Sequence, residues 1–151
     1  GTLLLDEIAE LSLSTQAKLL HVLQDHEFIP IGGSSPVKVD VRIIAATNKN
    51  LKEEIAKGRF REDLYHRLSV IIIEVPPLKD RPEDIDELVT YFLETICNEM
   101  GIAQKNITPE ALQALKSYEW TGNIRELRNV VERLIILGSP TITAEEVSMY
   151  K

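Results

Sequence analysis

The chain has 151 residues, enough for one domain or one domain with a small lobe, and its 44% apolar and 27% charged content is ordinary for a globular chain. A net charge of −7 argues against broad binding of these residues to nucleic acid or anionic membrane. The single cysteine, Cys97, excludes an internal disulfide. His21, His26 and His66 lack ligand spacing, and no leader or membrane-spanning run is present, so a cytoplasmic location without membrane contact is expected.

The chain opens on Gly1-Thr2-Leu3-Leu4-Leu5-Asp6-Glu7-Ile8, a short apolar run that reads as a buried strand ending in two carboxylates. Open α/β sheets place their ligands at such carboxyl ends. There Asp6 can hold Mg²⁺ and Glu7 can polarise a water, although two acids also suit the start of a helix. No methionine precedes the run and no G-x-x-x-x-G-K-[ST] loop occurs, so the chain is expected to be a piece of a longer protein.

Ser12 or Ser14 is placed to cap a helix ending near Gln24, with Ala17, Leu20 and Leu23 on its apolar face, thickened by Leu19 and Val22. The Gly32–Pro36 cluster reads as a hairpin turn within Phe28–Val41. The run Ile43-Ile44-Ala45-Ala46 predicts a strand covered on both faces, closed by Thr47-Asn48. Asn48 could bond an attacking water or a γ-phosphate; a plain turn residue would look the same.

Asn50 with Glu53 predicts a capped helix ending at Gly58, and residues 60–68 a second short helix. Arg61 and Arg67 flank its acids. Six residues apart, they point about 120° from each other, so one is expected at the helix start or in a different contact. Val70–Val75 predicts a third buried strand, stopped by Pro76-Pro77. Strands alternating with helices indicate a parallel α/β sheet.

The second half predicts four helices, begun at Asp80/Glu83, Thr108-Pro109, Asn123/Glu126 and Thr143/Glu146. Short connections make these a small bundle. Arg125 sits in a first helical turn, where a cation opposes the helix dipole; a phosphate or Glu119 would offset this. The two parts are expected to be 1–77 and 78–151.

Taken together and in order, Gly1–Ile8, Arg42–Asn48, Phe60–Leu68, Pro76–Arg81 and Gly122-Asn123-Ile124-Arg125-Glu126-Leu127 resemble the central AAA+ ATPase domain of sigma-54-dependent transcription activators. The resemblance is to the nitrogen-regulation response-regulator type, which belongs to two-component systems, and it covers the whole chain. It implies the C-terminal part of a P-loop NTPase α/β subdomain followed by an all-α helical lid. It implies ATP and Mg²⁺ as cofactors, with Asp6 on the metal and Glu7 activating water. Thr47 and Asn48 would form sensor I. Arg61 and Arg67 would be fingers entering a neighbour's site in a hexameric ring, Arg125 would be sensor II, and Ile85 would lie near adenine.

The implied partners are sigma-54 RNA polymerase holoenzyme and further copies of the chain, with DNA bound only through a domain outside these residues. The phosphate loop, the sigma-54-contacting loop and a helix-turn-helix are not among the 151 residues, so this piece alone is expected to be inactive. Thr121 stands where the family usually has proline. The implied sheet order, 5-1-4-3-2, leaves the strand at Val70–Val75 without its neighbour. That strand is expected either to be completed from outside or to pair directly with the strand at Arg42–Ala46. Other AAA+ clades share these motifs, and a non-enzymatic interaction module is the alternative from a different class.

Overall fold

The computed structural model describes residues 1–151, and the chain divides into two compact units, Gly1–Ile73 and Glu74–Lys151.

In the first unit, strand β1 (Thr2–Leu5) pairs in parallel with β4 (Arg42–Ala45), Thr2 opposite Arg42 and Leu5 opposite Ala45. Between them lie helix α1 (Leu13–Asp25) and an antiparallel hairpin of β2 (Glu27–Phe28) and β3 (Val37–Lys38). Ser12 caps α1 by accepting from the Thr15 N–H at 3.3 Å. Asn50 does the same for α2 (Leu51–Ala56), accepting from Lys52 and Glu53, and helix α3 spans Glu62–Leu68. Ile8, Leu20, Phe60 and Leu64 form the core where α1 and α3 meet.

Two expectations about the strands are corrected. The β1 and β4 run is not covered on both faces: Leu4 is 60% and Ile44 45% exposed. Val70–Val75 is not a buried strand. It is unpaired, beginning in a turn at Val70 and a bend at Ile71, with Ile71 79% and Ile73 82% exposed, and β4 pairs with β1 alone. An apolar β-branched run supplies strand propensity, but a ladder also needs a partner's N–H and C=O groups, and this run pairs with none of the chain's strands.

One strap organises the turn before α3. Glu54 is buried on α2, and its carboxylate accepts two bonds from Arg59, at 2.6 and 2.7 Å. Its carbonyl accepts from the Arg59 and Phe60 N–H groups. The Arg59 guanidinium holds the Glu54 carboxyl below its ordinary range, against the opposing effect of burial. A carboxylate depressed in the folded state contributes stability that is complete above the unfolded value and lost as pH falls through the folded one. Glu54→Gln should therefore lower stability near neutrality and flatten its decline in acid. Urea unfolding across pH 3–7 checks this (a range bracketing the ordinary carboxylate values of about 4), and an acid limb identical to that of the unsubstituted protein would overturn it.

The second unit holds α4 (Asp84–Met100), α5 (Pro109–Lys116), α6 (Asn123–Leu137) and α7 (Ala144–Tyr150). Thr108 caps α5 and Thr143 forms a full capping box with Glu146 on α7, as the sequence predicts. The other two starts differ. Helix α4 begins at Asp84 with no side-chain cap, and Asp80 belongs to a separate 3-10 turn, Leu78–Asp80. At α6 the reach-back of Glu126 goes to the Gly122 N–H at 2.9 Å, while the Asn123 side chain accepts from the Leu78 N–H at 2.8 Å. A Cβ at Gly122 would meet the Glu126 Cβ at 2.8 Å, so this closed turn requires glycine.

A two-residue parallel pair, β5 (Asn106–Ile107) with β6 (Thr141–Ile142), ties the α4–α5 and α6–α7 connections together. It is too short to show a sequence period. Within the bundle, Ile85, Val89, Leu115, Leu127, Leu134 and Val147 are among the fully enclosed side chains, and the Trp120 indole donates to the Leu115 carbonyl at 2.8 Å. Leu127→Ala should destabilise this unit by about 2–5 kcal/mol, from lost transfer energy and the cavity left behind. A change below about 1 kcal/mol in denaturant unfolding would show that the site collapses freely.

Candidate active site

The parallel pairing of β1 and β4 decides which polar groups meet. Hydrogen bonding continues past the strand ends: the Ala46 N–H donates to the Leu5 carbonyl at 2.9 Å, and the Ile8 N–H donates to the Ala46 carbonyl at 3.0 Å. The turn carrying Asp6 and Glu7 is thereby fastened to the segment that leads into Thr47 and Asn48. All four residues are exposed.

Glu7 adopts φ 51°, ψ 44°, the left-handed region. For a non-glycine residue this costs about 1–3 kcal/mol and must be enforced by its surroundings. The enforcement is visible on both sides. Before Glu7, Leu5 is locked in the ladder. After it, Ile8 is 1% exposed with its N–H committed to Ala46. The chain has two residues, Asp6 and Glu7, in which to turn from strand to 3-10 helix (Ile8–Glu10), and Glu7 is the one that takes the left-handed backbone. Its carboxylate projects from a backbone held by the core.

Asp6 uses one carboxylate oxygen on the Glu7 N–H, at 2.9 Å. Its second oxygen has no partner in the chain. Mg²⁺ in nucleotide sites is commonly held by one or two carboxylates, with water and phosphate oxygens completing the shell. A single exposed carboxylate with a free oxygen fits that role, and no group of three potential ligands forms a protein-only metal cage.

The Thr47 hydroxyl accepts from the Lys49 N–H at 3.1 Å, a local turn bond, and Asn48 makes no side-chain bond within the chain. Lys49 reaches Glu10 at 2.7 Å, which braces the two turns against each other and raises the lysine's pKa. Both partners are partly exposed, so the ion pair is a minor support.

The two arginines near α3 have separate placements. Arg61 is the residue before the first helical turn, with extended backbone, and donates from Nε and Nη2 to Asp63 at 3.0 and 2.7 Å. The guanidinium lowers the Asp63 carboxyl. Arg67 lies in the last turn, and its Nη2 donates to the Leu23 carbonyl at the end of α1, at 2.8 Å. One arginine is thus at the helix start and the other serves a different contact, as the helical angle between them requires.

In the second unit, Arg125 is exposed on the first turn of α6 and forms no ion pair, with Glu119 or any other acid. A shallow depression beside it is lined by Gly122, Asn129, Arg133 and Lys151. Ile85 is fully enclosed in the bundle core and presents no free side-chain surface.

Two buried polar side chains beside the turn before α3 stand outside the motifs of the sequence. Gln16 is completely buried, and Glu54 nearly so. A signal existed for the first: Gln16, Leu20 and Leu23 share the apolar face of α1 at helical spacing, and a polar residue at a core position implies bonded partners.

Residues 1–74 match the family model of the sigma-54 interaction domain, and residues 79–150 match that of an AAA+ ATPase lid domain. The nitrogen assimilation regulatory protein NtrX of Azorhizobium caulinodans is 52% identical over 145 residues, 96% of this chain and 32% of that protein. The nitrogen fixation protein AnfA of Azotobacter vinelandii is 53% identical, over 94% of this chain and 27% of its own length. Crystal structures of NtrX from Brucella abortus in complex with ADP and with ATP each superpose with a TM-score of 0.89 at 48% identity, covering 97% of this chain and 35% of theirs. The chain spans 27–35% of the length of these relatives. With one family model on each of its two parts, and relatives at about half identity over nearly all its residues, the chain belongs to the AAA+ family of sigma-54-dependent transcription regulators.

Proposed function

We propose that these residues form part of an ATP-hydrolysing motor that activates transcription by remodelling the closed promoter complex of sigma-54 RNA polymerase. The observation that carries the reading is the fastening of the Asp6-Glu7 turn to the Thr47-Asn48 segment, with Glu7 held in a left-handed conformation. Nucleotide-bound NtrX structures support ATP as the ligand class.

In this reading Asp6 holds Mg²⁺, which supplies charge neutralisation on the phosphates. The Glu7 carboxylate accepts a proton from the attacking water, and the strained backbone keeps it aimed without reorganisation. The Asn48 amide orients that water or a γ-phosphate oxygen, with Thr47 shaping the turn beneath it. Arg61 and Arg67 act in the site of a neighbouring subunit within a ring, of six copies in the family pattern. Arg61 is the principal finger, because its one side-chain partner is an exposed carboxylate it can leave, whereas Arg67 is tied to a backbone carbonyl of its own subunit. Arg125 on the lid contacts nucleotide, and Ile85 supports the adenine end by bracing the start of α4. The domain division is proposed at residues 77 and 78.

The proposed partners are sigma-54 holoenzyme and further copies of this chain, in the cytoplasm and downstream of a two-component signal, with DNA contacted through another domain. The phosphate-loop lysine and N–H cradle are not among these residues, so turnover requires the rest of the motor.

In the full-length protein, Glu7→Gln should abolish ATP turnover while leaving ATP binding intact, because the amide stays polar but is a poor base. Turnover within about threefold of the unsubstituted enzyme, an effect below 1 kcal/mol, would remove Glu7 from the role. Arg61→Ala should lower turnover about 10³-fold or more, as for other arginine fingers. Mixed with Glu7→Gln subunits it should recover activity, since some sites then combine an intact half from each. Absence of recovery at every mixing ratio would place Arg61 in its own subunit's structure.

A further inference from the structure

We infer that Gln16 is the positioning residue for Arg61, holding the base of the finger at a fixed place relative to the loop that leaves Glu7. The inference rests on Arg61 acting on nucleotide in a neighbouring subunit, as proposed above.

Gln16 is fully buried in the first turns of α1. Its Nε2 donates to the carbonyls of Leu11 at 2.8 Å and Arg59 at 3.0 Å, and its Oε1 accepts from the Arg61 N–H at 2.9 Å. Two carbonyls face the NH₂ group and one N–H faces the oxygen, so only one orientation of the amide satisfies all three. No other natural side chain of this size offers two donors and an acceptor in that arrangement.

The turn from Arg59 to Arg61 is held from two directions. Glu54 takes the N–H groups of Arg59 and Phe60, and the Phe60 ring is buried in the core. The Arg61 carbonyl accepts from the Tyr65 N–H within α3 at 3.1 Å, but the Arg61 N–H is held by Gln16 alone, from 45 residues away. Beyond that point the arginine side chain is restrained by Asp63, an exposed partner that gives little rigidity. The placement of the guanidinium therefore originates at the Arg61 backbone. The third bond of Gln16 ends on Leu11, the residue that closes the 3-10 turn begun at Glu7. One buried amide thus joins the loop of a subunit's own catalytic carboxylate to the arginine it extends to its neighbour.

The test uses the full-length ring-forming protein. Gln16→Leu keeps the bulk and removes all three bonds. It should lower kcat about 10²-fold, the scale of a misplacement near 1 Å, and leave the KM for ATP unchanged. Complementation separates positioning from general damage. Gln16→Leu mixed with Glu7→Gln should recover turnover, because the defect lies in the half-site a subunit donates. Gln16→Leu mixed with Arg61→Ala should not recover, because both lesions then affect that same half. Recovery with Arg61→Ala, no recovery with Glu7→Gln, or an unchanged kcat would each overturn the inference. The control mixture of Arg61→Ala with Glu7→Gln tests the finger role alone; its failure would remove the basis, a result distinct from failure of the Gln16 mixtures. Should Gln16→Leu fail to fold, Gln16→Met, which is unbranched and also removes all three bonds, takes its place in the same mixtures. Amide exchange in the unsubstituted protein gives an independent measurement. The Arg61 N–H should be strongly protected, and exchange at the rate of an open loop would overturn the proposal.

Discussion

The placement of Asp6 and Glu7 beside Thr47 and Asn48 depends on hydrogen bonding that outruns a four-residue strand pair. β1 and β4 are short and partly exposed, and two strands by themselves are marginal. They persist because the ladder extends through Ala46 and Ile8, and because Ile8 then drops into the core beneath α1 and α3. The Asp6-Glu7 turn is thus anchored at both ends within three residues. Glu7 absorbs the resulting change of direction as a left-handed backbone. Strain at this position is a consequence of fastening the strand end and the buried isoleucine so close together.

A second level of organisation is polar and buried. Gln16 and Glu54, the two buried polar side chains of the chain, both grip the turn from Arg59 to Arg61. A buried polar group without partners would cost stability, so each requires its partners to stay in place. The apolar core around Phe60 and Leu64 supplies cohesion, but packing alone tolerates small sliding. The directional bonds fix where α3 begins and therefore where Arg61 starts.

The second unit solves a different problem with different means. Its core is continuous and apolar, and its helix starts carry side-chain caps only where Thr108 and Thr143 stand. At the remaining junction the Asn123 side chain serves the chain before α4, bonding the Leu78 N–H. That bond joins the first segment of the unit to α6, the helix that carries Arg125. The Trp120–Asn123 turn, with left-handed backbone at both its ends and a glycine that Glu126 folds over, sets where this helix begins.

The sequence by itself determined the order of the α-helices, the caps at Asn50, Thr108 and Thr143, a serine cap at Ser12 or Ser14, the core faces of the lid helices and the family. Each of these is local or periodic: a cap is written in four residues, and an amphipathic face in a few turns. It also placed the acids and amides at strand ends, because strand ends are marked by a change in polarity. Tertiary structure alone decided the rest. Val70–Val75 has the composition of a buried strand, but burial needs a partner that composition does not specify. Asp80 and Asn123 have the spacing of caps, yet one joins a 3-10 turn and the other bonds a distant N–H. Gln16 looks like an interruption of an apolar face until the carbonyls of Leu11 and Arg59 and the N–H of Arg61 are placed around it. Contacts 43 and 45 residues apart are made by the fold, and no local pattern encodes which backbone group a buried amide will find.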